Sequence, residues 1–400
     1  MWSSPIESVQ KEYFARDFGY RCRNWAIGGK HFGIRQNRTP GQHPEINWRL
    51  QIFYTILSPI RRLDDLAVIF THCLATHRNP TMNVSEAPIH ITHICSAWRS
   101  IALSIPRLWS RFHMYLFNPE EWRHWYRYSE EEVQRWLRLS AACPLSIIIS
   151  SLWEDDVHQP HLDAIVRSSR HWQQLEFRYL ATYSKVWKMI INLSVDDLGM
   201  LRDLRFHSMT NLWHKSVLSA AKGLCSIHIN KIELNAFPTG IPQNWQNLNH
   251  LFIHSPILIR VANQLLNHCH NPITCLLEVA TEKSDSDSTL LSSSLPHLTF
   301  LSLEAFSTGC NHIFHYIDAP SLQILDCRGY FLDESEGSGL YDFLQRINPL
   351  TTLAIDHEYL TMKHIFKCGT LIPSLKHLVL GRTNPLPVKL MSTLYEIKHQ

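Results

Sequence analysis

"LTFLSL" at residues 298–303 and "LQILDC" at 322–327 set the register for the second half of this 400-residue chain. Both are copies of L-x-x-L-x-L, other apolar residues being allowed at the leucine positions. Clean copies also begin at Leu201 ("LRDLRF"), Leu224 ("LCSIHI"), Leu248 ("LNHLFI"), Leu350 ("LTTLAI") and Leu375 ("LKHLVL"). Weaker ones begin at Pro144 ("PLSIII"), Trp172 ("WQQLEF") and Thr274 ("TCLLEV"). Counted on the middle apolar position, the ten marks fall at 147, 175, 204, 227, 251, 277, 301, 325, 353 and 378, always 23 to 29 residues apart. A leucine-rich composition produces a few such hits by accident, but not ten at near-constant spacing. That period is what one short strand and a returning helix or loop consume in a stacked repeat.

The material between the marks agrees. "HLDAIVRSSRHW" places Leu162, Ile165 and Val166 on one helical face ahead of the mark at 175, and "GLYDFLQRINPL" does the same with Leu340, Phe343 and Leu344 ahead of 353. A strand arriving behind a helix each time predicts a parallel stack. Side chains alternate along a strand, so the leucines point inward and the residues between them line an open concave sheet. That face reads Glu176, Arg178, Arg205, His207, His228, Asn230, Phe252, His254, Ser302, Glu304, Asp326, Arg328 and Asp356. It is mixed and polar with one exposed aromatic, which suits a protein ligand better than an active site. Two polar stretches, "EKSDSDSTLLSSS" at 282–294 and "DESEGSG" at 333–339, read as surface loops interrupting the array.

Composition narrows the function classes. Hydrophobic residues make up 45%, enough for real cores, and Lys+Arg 38 against Asp+Glu 35 leaves a net charge of only +3, with the basic residues scattered. Nucleic-acid binding through phosphate neutralisation leaves a stronger footprint. The ten cysteines form no CxxC pair, which fits free thiols in a reducing compartment. "MWSSPIESVQKEYF" lacks the basic and apolar blocks of a signal peptide, and no stretch approaches eighteen apolar residues. The expectation is a soluble protein of the cytoplasm, the nucleus or both, with neither nucleic acid nor membrane as a partner.

No catalytic engine is evident. "IGGKHFG" has Asn24 where a phosphate loop requires glycine and His31 where it requires Ser or Thr. "EGSG" at 336–339 lacks the glycines of a nucleophile elbow. Among 25 histidines the densest patch is "NHCHNPITC", offering His268, Cys269, His270 and Cys275, a single irregular cluster rather than two short-spaced pairs. No metal or other cofactor, and no catalytic residue, is therefore assigned.

Ahead of the repeats, Leu66, Ile69, Phe70, Cys73 and Leu74 mark one helical stripe, and Ile94, Trp98, Ile101 and Ile105 mark a second. Neither helix is long enough to stand alone. Pro106 then turns the chain, and Leu108 and Trp109 read as a large apolar pair presented beyond the bundle, free for a partner. Further on, Ser129 and Glu132 form an S-x-x-E capping box opening a helix with Val133, Trp136 and Leu137 on one face.

"ICSAWRSIALSIPRLWS" at 94–110 closely resembles the C-terminal half of the F-box of fungal F-box proteins, in which leucine-rich repeats commonly follow. The resemblance implies a small helical F-box module followed by an irregular leucine-rich-repeat solenoid, with a parallel sheet on the concave face and helices and loops on the convex face. It divides the chain into an N-terminal segment of uncertain or disordered character (1–56), an F-box-like helical domain (57–115), a connecting helix (116–141) and the repeat domain (142–400). It implies a non-catalytic substrate-recognition subunit of a cullin-RING ubiquitin ligase of the SCF type. A Skp-type adaptor, which joins the cullin, would dock on Leu63, Leu66, Ile69, Phe70, Ile94, Trp98, Ile101, Pro106, Leu108 and Trp109. An unknown protein substrate would meet Arg178, Arg205, His207, His228, Asn230, Phe252, His254, Glu304, Arg328 and Asp356. The usual Leu-Pro opening is absent from "IRRLDDLAVIF" at 60–70. The alternative is therefore a non-ligase leucine-rich-repeat scaffold with a degenerate F-box.

Overall fold

The computed structural model describes residues 63–76, 78–116, 128–151, 159–178, 190, 192–207, 221–231, 243–281, 290–307, 310–331, 339–356 and 360–381. Residues 1–56, expected to be of uncertain character, lie outside the described residues, as does most of the aromatic stretch before Ser129. Arg62–Gln400 clusters as one compact unit.

Among the described residues three short helices come first: α1 (Leu63–His72), α2 (Ile89–Thr92) and α3 (Ser96–Leu103), followed by a 3₁₀ turn at Pro106–Trp109. Cys95 caps α3, its Sγ accepting from the Trp98 N–H at 3.4 Å, so Ile94 falls outside the helix to which its spacing assigned it. Phe70 is fully buried and meets the Trp98 ring at 5.1 Å, holding α1 on α3. Pro106 opens the 3₁₀ turn, where a missing N–H costs nothing.

Eleven strands then build a single sheet in the order β1-β2-β3-β4-β5-β6-β7-β9-β11-β12-β13, every pairing parallel. They run β1 (Arg111–Leu116), β2 (Leu145–Ser151), β3 (Trp172–Arg178), β4 (Asp203–Phe206), β5 (Ser226–Ile229), β6 (His250–Leu258), β7 (Thr274–Ala280), β9 (Phe300–Ala305), β11 (Ile324–Gly329), β12 (Thr352–Asp356) and β13 (His377–Leu380). A separate two-stranded ladder joins β8 (Ser293–Ser294) to β10 (Ile317–Asp318). Helices α4 (Glu130–Leu139), α5 (Gln159–Arg167), α6 (Ile259–His268), α7 (Gly339–Arg346) and α8 (Met362–Leu371) interleave with the strands. The described residues thus form a mixed α/β stack in which each new strand of the large sheet lies beside that sheet's previous strand.

One register runs through the stack. Phe112, Ile147, Leu175, Leu204, Ile227, Leu251, Cys275, Leu301, Leu325, Leu353 and Leu378 stand opposite one another in sequence. The mark counted at Leu277 therefore belongs to Cys275, two residues earlier on the same inward face. From β4 to β13 each strand is entered through a backbone N–H bonded to the preceding unit, as in Arg202 to Gln173 (2.8 Å), Asn249 to Cys225 (2.8 Å), Thr299 to Ile273 (2.9 Å) and Lys376 to Thr351 (2.8 Å). Equal phase at every entry explains the near-constant spacing of the marks. The inward rows and the helices share one continuous apolar core.

Two expectations are corrected. The segment read as wholly helical to residue 115 contains β1, whose alternation of Phe112, Met114 and Leu116 inward makes it the first strand of the sheet. Leu108 and Trp109 are not a free apolar pair, being 0% and 4% exposed. The Trp109 ring meets Trp136 of α4 edge-on at 5.0 Å, and its Nε1–H donates to the Ala102 carbonyl at 2.9 Å. The sequence could not show that α4 returns to cover this corner. Its capping box does form as expected, the Glu132 N–H donating to Ser129 Oγ at 3.1 Å and the Ser129 N–H to Glu132 at 2.7 Å.

Candidate functional site

Side chains on the outer face of the sheet stand in three rows, fixed by the register above. The row nearest the strand entries carries Gln174, Asp203, Ser226 and His250. The middle row carries Glu176, Arg205, His228, Phe252, Leu276, Ser302 and Asp326. Toward the strand ends lie Arg178, His207, Asn230 and His254, then Glu278, Glu304, Arg328 and Asp356. The list read from the sequence holds the second and third rows except Leu276 and Glu278, both on the weak copy "TCLLEV", and omits the first row.

At the β1–β5 end the face hollows into a cavity of about 310 Å³. It brings together the predicted Arg178, Arg205, His207, His228 and Asn230 with four residues the sequence did not nominate for the face, Arg78, Asn79, Arg111 and Gln174. Asn79, 3% exposed, donates to the carbonyls of Ser146 (2.8 Å) and Phe112 (3.3 Å), while its Oδ1 accepts from Arg111 Nε at 3.0 Å. Beside it, Pro80 O accepts from the His113 N–H at 2.8 Å and Thr81 pairs with His113, so this segment extends the ladder beyond β1. A buried asparagine thus ties the helical region to the first two strands and aims Arg111 into the cavity. Arg78 is held by Glu86, which also accepts from the Thr81 N–H at 2.8 Å.

Among the described residues, Glu176 is the only carboxylate lining this cavity. It is 5% exposed and accepts from Arg178 and from His207 Nε2 at 3.1 Å. Burial works to raise its carboxyl, but the His207 hydrogen bond and the Arg178 guanidinium outweigh that and hold it at about 2. Arg205 is gripped by Asp203, 2.7 Å from Nη2, which raises its already high pKa against the cost of burial. Burial, aided by Arg205, pushes the His228 imidazole down to about 4, so this ring is neutral at pH 7. It lies flat on Phe252, centroids 4.2 Å apart and planes inclined by 17°. Phe252, expected exposed, is half-buried by that stack.

Beyond β6 the character of the face changes. A bulge between Ile253 and Pro256 removes His254 from the pairing, and Pro256 resumes opposite Glu278. Glu278 stands directly across from Glu304, and Glu304 across from Arg328, which faces Asp356 in turn. Burial and the Glu304 charge together push the Glu278 carboxyl up to about 7. His254 approaches it at 3.9 Å, but burial lowers that imidazole as well. Both shifts favour the neutral forms, so the approach is not an ion pair at neutral pH. Arg328 is bound to Asp326 on its own strand, 2.7 Å from Nη2.

The expected docking residues are distributed differently. Leu63 opens α1, and its side chain lies outside the described residues. Phe70, Leu108 and Trp109 are core. Leu66, Ile69, Trp98, Ile101 and Pro106 are half-buried, and Ile94, 42% exposed, is the one fully surface-exposed member. His268 and His270 are exposed while Cys269 and Cys275 are buried, burial raising both thiols, Cys269 to about 12. Among the described residues no group of three or more His, Cys, Asp or Glu is placed to hold a metal ion. Nor is any helix among them long and apolar enough to cross a membrane. No protein-family model matches the chain, and no curated protein matches it.

Proposed function

We propose that this chain is a substrate-recognition subunit of a cullin-RING ubiquitin ligase, with α1–α3 acting as an F-box for a Skp-type adaptor and the strand stack acting as leucine-rich repeats for a protein substrate. The catalytic transfer belongs to other subunits, and the cytoplasm or nucleus is its place of work. The observation that carries this reading is the order of parts. A short helical segment bearing "ICSAWRSIALSIPRLWS" runs directly into β1 and then, from β2 on, a stack of strands at 23- to 29-residue intervals with an open polar face. A face of charged and amide groups around the aromatic group of His228, Phe252 and His250 suits holding a protein.

The second reading, a repeat scaffold that recruits no ligase, draws on the burial of Phe70, Leu108 and Trp109, which removes three of the expected docking residues from the surface. Co-expression of the full chain with a Skp-type adaptor separates the two. Under the ligase reading the pair co-purifies, and Ile94→Asp, at an exposed position, abolishes the association while leaving the circular dichroism spectrum unchanged. Absence of adaptor from the intact chain establishes the scaffold reading instead.

A further inference from the structure

The outer face of the sheet is electrically lopsided. Its β1–β5 end holds Arg78, Arg111, Arg178 and Arg205 around one cavity; Arg78 is paired with Glu86, Arg178 with Glu176 and Arg205 with Asp203, which leaves Arg111 as the unbalanced charge among the described residues of the lining. Glu176 is already engaged by Arg178 and His207. Arg111 is directed at the cavity through neutral groups, the Asn79 amide at 3.0 Å and the Arg78 carbonyl at 3.4 Å. An arginine held by neutral groups keeps its charge available to an anionic group, and guanidinium forks match carboxylates. Its volume of about 310 Å³ admits one or two acidic side chains.

Across the aromatic stack of His228 on Phe252 the balance reverses. Among the described residues there, Glu304, Asp326 and Asp356 lie around Arg328, and Glu278 and Glu304 face each other across adjacent strands. Like charges directly opposed on a sheet destabilise it. A cation laid over the pair would relieve that repulsion.

We infer that this face binds an extended, charge-segregated peptide segment of a partner protein, its acidic end in the arginine cavity, an apolar residue on the His228–Phe252 stack, and its basic end over Glu278 and Glu304. The spacing follows from the sheet. The β3–β4 arginines and the β7–β9 carboxylates are centred four strand steps apart in the observed order. At ~4.8 Å per step that is roughly 19 Å, which an extended chain at ~3.3 Å per residue covers in about six residues. The inference rests on the open face being the substrate surface, but it does not require the adaptor to bind.

The test uses the full chain and synthetic peptides followed by fluorescence anisotropy. The probe carries two glutamates, six uncharged residues with a central leucine, and two lysines. Comparison peptides carry the same charges two residues apart, only the glutamates, or only the lysines. The full probe is expected to bind at least tenfold tighter than each comparison peptide. Glu304→Lys and Arg205→Gln, checked for native circular dichroism, should each weaken it at least tenfold, and Glu304→Lys should leave the glutamate-only peptide unaffected. Raising salt from about 0.05 to 0.5 M should weaken the probe severalfold as the charges are screened. Equal binding of the two spacings, indifference to both substitutions, or no binding of the probe up to about 1 mM overturns the inference. Adaptor co-purification measured on the same preparations is independent: its loss with peptide binding retained removes the ligase reading alone.

Discussion

Replacing Trp109 with alanine decides whether the residue is a docking surface or part of the core. The ring is 4% exposed, meets Trp136 edge-on at 5.0 Å and donates to the Ala102 carbonyl at 2.9 Å. Truncating a buried tryptophan costs about 3–5 kcal/mol through lost transfer energy and the cavity left behind. The aromatic pair and the hydrogen bond are worth about 1 kcal/mol each, but they overlap with the cavity cost, so the expected loss is about 4–5 kcal/mol. With an m-value of about 3 kcal/mol/M in urea, the midpoint should fall by more than 1 M. Far-UV circular dichroism is the appropriate assay, because the substitution removes a fluorophore. Loss should begin at the α3–β2 corner, so amide exchange of Phe112 and Met114 should accelerate before that of Leu353. If Trp109→Ala moves the midpoint by less than about 0.2 M while abolishing a partner's binding, the residue is a docking surface and the burial argument is wrong.

Two carboxylates on the outer face give opposite pH signatures. Glu278 sits at about 7 in the folded chain, above the usual carboxylate value. The folded state therefore holds a proton that the unfolded state has lost between about pH 4.5 and 7, and stability falls as pH rises through that window. Glu278→Gln should remove this slope and stabilise the protein above pH 7 by about 1–2 kcal/mol after allowance for solvent screening, read from thermal melts at pH 5 and 8. Glu176, held at about 2, behaves in the reverse sense: its contribution is present above about pH 4.5 and is lost as pH falls toward 2. Glu176→Gln should cost about 2–3 kcal/mol at pH 7 and nothing near pH 2; a constant difference across that range refutes the Arg178–His207 account.

What the sequence reveals depends on how local the cause is. The strand positions follow from apolar alternation within six residues, and that is why even "PLSIII" and "WQQLEF" become β2 and β3. At "TCLLEV" the alternation admits two phases of the same parity, Cys275 and Leu277. Only pairing with Leu251 and Leu301, on neighbouring units, selects Cys275. Strand β1 escapes although "WSRFHM" at 109–114 carries the same apolar spacing as "WQQLEF", because the helical stripes just ahead of it claim the segment. Arg111, which the sequence does not nominate for the face, lines the cavity because Asn79 meets it from 32 residues away. No pattern within a window carries that information.

The two halves of the outer face also differ in how they tolerate their charges, and this bears on where a ligand gains most. In the arginine cavity the charges are neutralised in pairs, Arg78 with Glu86, Arg178 with Glu176 and Arg205 with Asp203, so these guanidiniums are fixed before anything binds. Preorganised donors of this kind lose little entropy when an anion arrives. Around Glu278 and Glu304 the like charges stand in register with no cation between them, and the fold accommodates them by keeping the Glu278 proton near neutrality. A cation there must displace that proton, so its affinity should rise with pH through about 7 while affinity in the arginine cavity stays flat. The asymmetry follows from register alone: β3 and β4 each place an acid and an arginine two residues apart on one strand, where they pair, whereas β7 and β9 place their acids opposite one another, where they cannot.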